Sequence, residues 1–217
     1  MAFFKELARA EKRGPNATER FLLAARASER AAAEPAFCVT VCNELGGFYR
    51  ANARYEESCR FYSDGLAYAE SVYGADSLAY GTILMNRAGA SRMAGDTARA
   101  IGDFEAALRI VSVQEDCNEV LASTWNNLGL AYYAAGRRED AVHAMKKSLS
   151  VAEITGDSCM IGTGHLNLAS VCMELGRREE ALEHAERGAH CFAAEPDSPN
   201  AKYAEQLLAA LRNQVFP

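Results

Sequence analysis

At 217 residues, with 49% hydrophobic and 24% charged side chains, the chain is long enough to bury a substantial core, and its composition excludes a disordered or membrane-embedded polypeptide. The formal net charge of −6 is uneven, with ten Lys/Arg against eight Asp/Glu in residues 1–60 and thirteen against twenty-one in the remainder. Such a surface lacks the clustered positive field that nucleic acid requires, so nucleic acid is not an expected partner.

The opening Met-Ala-Phe-Phe-Lys-Glu-Leu reaches Lys5 and Glu6 before an apolar leader core can form, and no later run is apolar over a membrane-spanning length. A cytoplasmic protein with no membrane partner is the expectation. Residues 1–37 read as a degenerate repeat, because Phe4, Phe21 and Ala25 stand 41 residues before Leu45, Tyr62 and Leu66. Pro15 marks its turn and Pro35 the junction that follows.

From there the frame is explicit. Asn-Glu-Leu-Gly-Gly-Phe-Tyr at 43–49, Asn-Arg-Ala-Gly-Ala-Ser at 86–91, Asn-Leu-Gly-Leu-Ala-Tyr at 127–132 and Asn-Leu-Ala-Ser-Val-Cys at 167–172 align with one another. Their anchors Leu45, Arg87, Leu128 and Leu168 are separated by 42, 41 and 40 residues, a period that signals a helical solenoid. Seventeen residues after the anchors come Tyr62, Phe104, Met145 and Ala185, and twenty-one after come Leu66, Leu108, Leu149 and Ala189, which implies two helices per repeat. Between the paired helices, Gly95, Gly136 and Gly176 are placed to take the left-handed conformation that ends one helix. Ala53 occupies that place in the first full repeat, where Asn52 is expected to take the positive φ instead. Between repeats, Gly74-Ala75-Asp76-Ser77 and Gly156-Asp157-Ser158 combine a C-terminal glycine with an N-capping side chain, a stop followed by a start. Glu195-Pro196-Asp197-Ser198-Pro199 then breaks the chain before one last amphipathic helix, a cap for the final hydrophobic face.

These elements predict an all-α chain: one domain over 1–217, a right-handed superhelical solenoid of antiparallel hairpins with about eleven helices. Its parts are the degenerate repeat 1–37, repeats at 38–78, 79–119, 120–159 and 160–194, and the capping helix 199–213. The small and aromatic positions between paired helices, Tyr49, Tyr62, Phe104, Trp125 and Tyr132 among them, are expected in the core.

Trp125-x-x-Leu128-Gly129-x-x-Tyr132, with Gly136, Ala141 and Leu149, resembles the tetratricopeptide consensus, and the likeness covers most of residues 39–192. The repeats exceed the usual 34 or so residues by about two helical turns, as in the long repeats of kinesin light chain, of the Leu-Gly-Asn cell-polarity adaptors and of Gram-positive quorum-peptide receptors. The resemblance is specific for fold and weak for function.

Polar residues recur on the first helix of each repeat, which in such a frame lines the concave surface. One position before the anchor stand Glu44, Asn86, Asn127 and Asn167. Five before it stand Thr40, Thr82, Ser123 and Thr163, and five after it Arg50, Arg92, Tyr133 and Met173. An asparagine amide can pair with both the N–H and the C=O of an extended peptide. The family resemblance implies the same role for Asn86, Asn127 and Asn167, from which Glu44 departs. The alternative is that these asparagines bond neighbouring helices and fix the pitch. Apolar ligand side chains would insert near Met85, Leu130, Tyr133, Leu166 or Met173, and an acidic group would meet Arg50 and Arg92.

No chemistry is expected. No phosphate loop or zinc helix occurs, and no catalytic residue, metal or cofactor is called for. Glu56-Glu57, Glu139-Asp140 and Glu179-Glu180 suit the first turns of second helices. Seven cysteines without C-x-x-C pairs suit reduced thiols. Two pairs on shared helix faces, Cys38 with Cys42 and His165 with Cys172, are weighed as metal or thiol sites against ordinary packing. The expected function is to hold a protein or peptide in the concave groove. Self-association into a homo-oligomer and a peptide sensor without its own output domain are the alternatives.

Overall fold

The computed structural model describes residues 2–213, and among them lie twelve α-helices and no strand. By their contacts the residues form two compact units, Met1–Ile110 and Val111–Pro217. The first contains α1 (Ala2–Glu11), α2 (Pro15–Arg26), α3 (Glu29–Ala33), α4 (Pro35–Ala51), α5 (Tyr55–Tyr73), α6 (Leu78–Met93) and nearly all of α7 (Thr97–Val111). The second contains α8 (Asn118–Ala134), α9 (Arg138–Thr155), α10 (Ser158–Glu174), α11 (Arg178–Cys191) and α12 (Pro199–Asn213).

The twelfth helix is the short α3, where only two helices were expected over residues 1–37. Ser28 creates it, since its Oγ accepts the Ala31 N–H at 3.2 Å. Pro35 ends it by holding Glu34 extended, at φ −122°. Pro15 and Pro35 each open a helix at the first turn, where a missing N–H costs nothing. Of the polar residues in the two junctions, Ser77 caps α6 and Asp157 caps α10, Asp157 accepting from both Cys159 and Met160.

Within each unit successive helices pair as hairpins: α4 on α5 and α5 on α6 in the first, then α8 on α9, α9 on α10 and α10 on α11 in the second. The repeating register is buried as expected. Leu45, Leu128 and Leu168 are at most 2% exposed, and Tyr62, Phe104, Met145 and Ala185 at most 1%. Small residues permit this closeness. A Cβ on Gly46 would stand 2.5 Å from the Tyr62 ring, and one on Gly162 would stand 2.7 Å from Phe192. Trp125 and Tyr132, expected in the core, are only half-buried. The α12 cap covers the last face with Ala201, Ala204, Leu207 and Leu211.

The hairpin turns obey one rule. Gly95, Gly136 and Gly176 have φ between 72° and 84°, and the residue after each returns its N–H to a carbonyl of the preceding helix at 2.9 Å. In the first full repeat the left-handed residue is Ala53, at φ 56°, and not Asn52, whose φ is −97°. The reason is geometric. The bonds from Ala53 N to Arg50 O and from Arg54 N to Tyr49 O fix the position of the turn regardless of side chain. Ala53 therefore bears about 1–2 kcal/mol of local strain. Ala53→Gly is expected to raise stability by up to about 1 kcal/mol, after the greater unfolded-state freedom of glycine is subtracted. A lower urea midpoint for this variant would contradict that account.

Candidate functional site

The faces of α4 and α6 in the first unit, and of α8 and α10 in the second, carry the residues singled out above. Thr40 and Thr82 hydrogen-bond carbonyls of their own helices, Ala36 O at 3.5 Å and Leu78 O at 2.8 Å. Thr163 is half-buried.

The asparagines are not alike. Asn86 Nδ2 donates to Asn43 Oδ1 at 2.9 Å, from α6 to α4, and Asn167 Nδ2 donates to Asn126 Oδ1 at 2.8 Å, from α10 to α8. Asn127 instead bonds within α8, to Ser123 O at 3.0 Å and more weakly to its hydroxyl. Each unit thus contains one asparagine–asparagine bond between the first helices of adjacent repeats. The acceptors Asn43 and Asn126 escaped the sequence reading, although both lie two residues before an anchor, where a second asparagine register alternates from repeat to repeat. Among the described residues no hydrogen bond reaches the Oδ1 of the donating asparagine in either pair, so a structural role does not exhaust the amide.

At the register five after the anchor the two units differ. In the second, Tyr133 donates to Glu174, which also takes 2.8 Å contact from Arg138. Those two hydrogen bonds hold the Glu174 carboxyl below its usual range. Met173 and Leu130 are half-buried beside the core, but Leu166 is only 3% exposed and lies against Gly188, so it is core and unavailable to a ligand. In the first unit Arg50 is exposed and Arg92 half-buried, and among the described residues neither forms an ion pair. The Arg92 Nε is buried with no partner.

Glu44, which interrupts the asparagine register, is half-buried beside a cleft of about 350 Å³ lined by Leu7, Pro15, Leu22 and Phe48. Burial, followed by the charge of Glu11, raises its pKa. Cys38 and Cys42 are both buried, and Cys38 Sγ donates to Ala31 O. Burial pushes the Cys42 thiol up to about 11, which suits an inert packed group. His165 turns to His184 of α11, Nδ1 to Nδ1 at 3.0 Å, rather than joining Cys172. Among the described residues no group of three or more His, Cys, Asp or Glu is placed to hold a metal, and no helix is long and apolar enough to cross a membrane.

The tetratricopeptide repeat family model matches residues 37–112, 82–154 and 120–189. A comparison with curated protein sequences finds no match. Among solved structures, the chain is similar to BtubC (BKLC) from P. vanneervenii, at 21% identity and TM-score 0.72 over 89% of this chain and 76% of that one. It is similar also to a Podosopora anserina protein of kinesin light chain type with nearly identical TPR-like repeats, at 18% identity and TM-score 0.69 over 80% and 84% of the two chains. Aspartyl phosphate phosphatase F from Bacillus subtilis aligns at 14% identity and TM-score 0.80 over 96% of this chain and 54% of its own length. At these identities the likeness is one of fold.

Proposed function

Because the chain belongs to the tetratricopeptide repeat family, we propose that it is a scaffold that holds a peptide or a segment of a partner protein against the first-helix faces of its repeats. The observation that supports this is the recurrence there of exposed or half-buried polar groups with hydrogen-bonding capacity left over: the Oδ1 of Asn86, Asn127 and Asn167, and the arginines Arg50 and Arg92. Seven free thiols suit a reducing compartment and support the cytoplasm.

Magnitudes assign the work. One further bond per asparagine contributes roughly 0.5–1.5 kcal/mol, so three give about 1.5–4.5. Micromolar binding needs about 8 kcal/mol. The remainder falls to apolar insertion at Met85, Leu130, Tyr133 and Met173 and to the charged grip of the arginines.

Affinity capture from the source lysate tests the reading with two variants matched by circular dichroism. Asn86→Ala/Asn127→Ala/Asn167→Ala removes the proposed ligand contacts together with both asparagine–asparagine inter-repeat bonds. Asn43→Ala/Asn126→Ala removes the same inter-repeat bonds and leaves the contacts. A partner retained by the wild type and the double variant, and lost by the triple variant, is the expected result. Equal loss in both variants would make the asparagines purely structural, and a wild type that captures only itself would make the chain a self-association module.

A further inference from the structure

We infer that the first unit carries an oxyanion-binding subsite formed by Arg50 and Arg92, which takes a carboxylate or phosphate group on the bound segment. This rests on the scaffold reading above and specifies what one part of that face recognises.

The sequence Gly-x-x-Arg occurs twice at one register, as Gly47 to Arg50 in α4 and Gly89 to Arg92 in α6. The two glycines serve as a floor. The Arg50 guanidinium reaches from α4 to α6, and its Nη1 stands 3.2 Å from where a Cβ on Gly89 would be. It therefore lies over the α6 backbone one helical turn before Arg92. A Cβ on Gly47 would stand 3.7 Å from the Tyr62 hydroxyl, and Arg50 and Glu44 act on that phenol in opposite directions, so the Tyr62 O–H adjoins the same spot with the Glu44 carboxylate also within its reach. The equivalent positions in the second unit are Leu130 with Tyr133 and Ser170 with Met173. The fold thus needs neither glycine nor arginine at this register.

What sets Arg92 apart is a buried guanidinium nitrogen that no hydrogen-bond partner meets among the described residues. In the same unit Arg54 pairs with Glu19 and Glu57, and Arg87 with Asp103, all within 2.8 Å. Among the described residues Arg50 and Arg92 have no such partner. Burial alone acts on Arg92, lowering its pKa, with no acidic group to offset it. The nearest carboxylate along α4, Glu44, responds to burial, Glu11 and Asn43 and to neither arginine. A half-buried guanidinium with an orphaned Nε–H is a cost that an arriving oxyanion removes. Two planar forks of donors match the paired oxygens of a carboxylate or phosphate.

The test uses the full chain with three defined probes: a capped tetraglutamate peptide, a capped phosphoserine peptide and a capped tetraglutamine control, followed through the arginine Nε–Hε resonances. The Arg92 resonance should move with one or both anionic probes and stay with the control. A response to tetraglutamate alone assigns a carboxylate, and a response to phosphoserine alone assigns a phosphate. Arg92→Gln should weaken binding at least tenfold. Gly89→Ala, which keeps both charges but displaces Arg50, should weaken it several-fold while leaving the thermal midpoint equal or higher. Arg60→Gln, a control on α5, should change nothing. A motionless Arg92 resonance at saturating probe, or equal weakening by Arg60→Gln, would overturn the subsite. Because no natural partner enters this experiment, its failure would leave the capture result standing on its own.

Discussion

Asp103→Ala is expected to lower the stability of the first unit by about 2–4 kcal/mol, and Arg87→Leu added to it to restore most of that loss. Where the other full repeats bury Leu45, Leu128 and Leu168 at the anchor, this repeat has Arg87. Its guanidinium is 22% exposed and meets Asp103, 11% exposed, through two bonds of 2.8 Å, with a third bond to Ser63 Oγ at 3.1 Å. Removing the carboxylate strands a largely desolvated cation, which typically costs 3–5 kcal/mol in a deep site and less here because Arg87 retains some water. The double variant instead returns the anchor to leucine and matches the alanine that Ala144 supplies sixteen residues after the anchor in the third full repeat. Replacing a buried pair by apolar groups is commonly neutral or stabilising. Urea titration followed by circular dichroism decides. An Asp103→Ala variant within about 0.5 kcal/mol of wild type, or a double variant no better than the single, would show that the pair is solvated and energetically idle.

The contrast between that pair and the rest of the register shows what a sequence can disclose. Core positions such as Tyr62, Phe104 and Met145 recur at a fixed distance from the anchor because each packs into the same slot of the same hairpin, so a period alone finds them. Helix stops and starts are equally local: Gly95 and Gly136, and the short polar stretches after Gly74 and Gly156, announce themselves by residue type, although which polar residue caps is settled by the helix geometry. Ala53 was misread because the hydrogen bonds of the turn fix which residue goes left-handed, and residue preference only follows. The bond from Asn86 to Asn43, and that from Asn167 to Asn126, join residues 43 and 41 apart on different helices. Their register was visible, but their partnership depends on the spacing between helices, which no local pattern encodes. Arg87 with Asp103, and His165 with His184, are hidden for the same reason. Each joins two helices of a hairpin at a separation with no helical period. Of the candidate faces, the residues were legible and their mutual contacts were not.

The histidine pair gives the second large effect: the second unit should lose about 2 kcal/mol between pH 7 and pH 5. His165 is 4% exposed, and its Nδ1 lies 3.0 Å from that of His184. One ring must donate and the other accept, an arrangement that two protonated rings cannot maintain. Burial first, then the charges of His184 and Arg187, outweighs Glu183 and depresses His165 to about 4. His184 is lowered as well, again chiefly by burial, with Lys146 and Arg187 acting in the same direction and Glu180 and Glu183 against it. An unfolded histidine titrates near 6.5. Below that pH the unfolded chain binds protons that the folded pair refuses, so stability is full above 6.5 and falls towards the folded value at about 1.4 kcal/mol per pH unit per group. Carboxylates held below their usual range, such as Glu174 and Glu180, stay ionised throughout this window. Glu44, raised by burial, works in the opposite sense but belongs to the first unit. The single tryptophan, Trp125, belongs to the second, so its fluorescence in urea follows the relevant transition. His165→Gln should flatten the profile between pH 7 and 5. A wild type equally stable at both values would mean that the pair opens to water readily, and that the packing of α11 on α10 rests on the shared core of Leu168, Ala169, Cys172, Ala181 and Ala185 and on the close approach at Gly162 and Gly188.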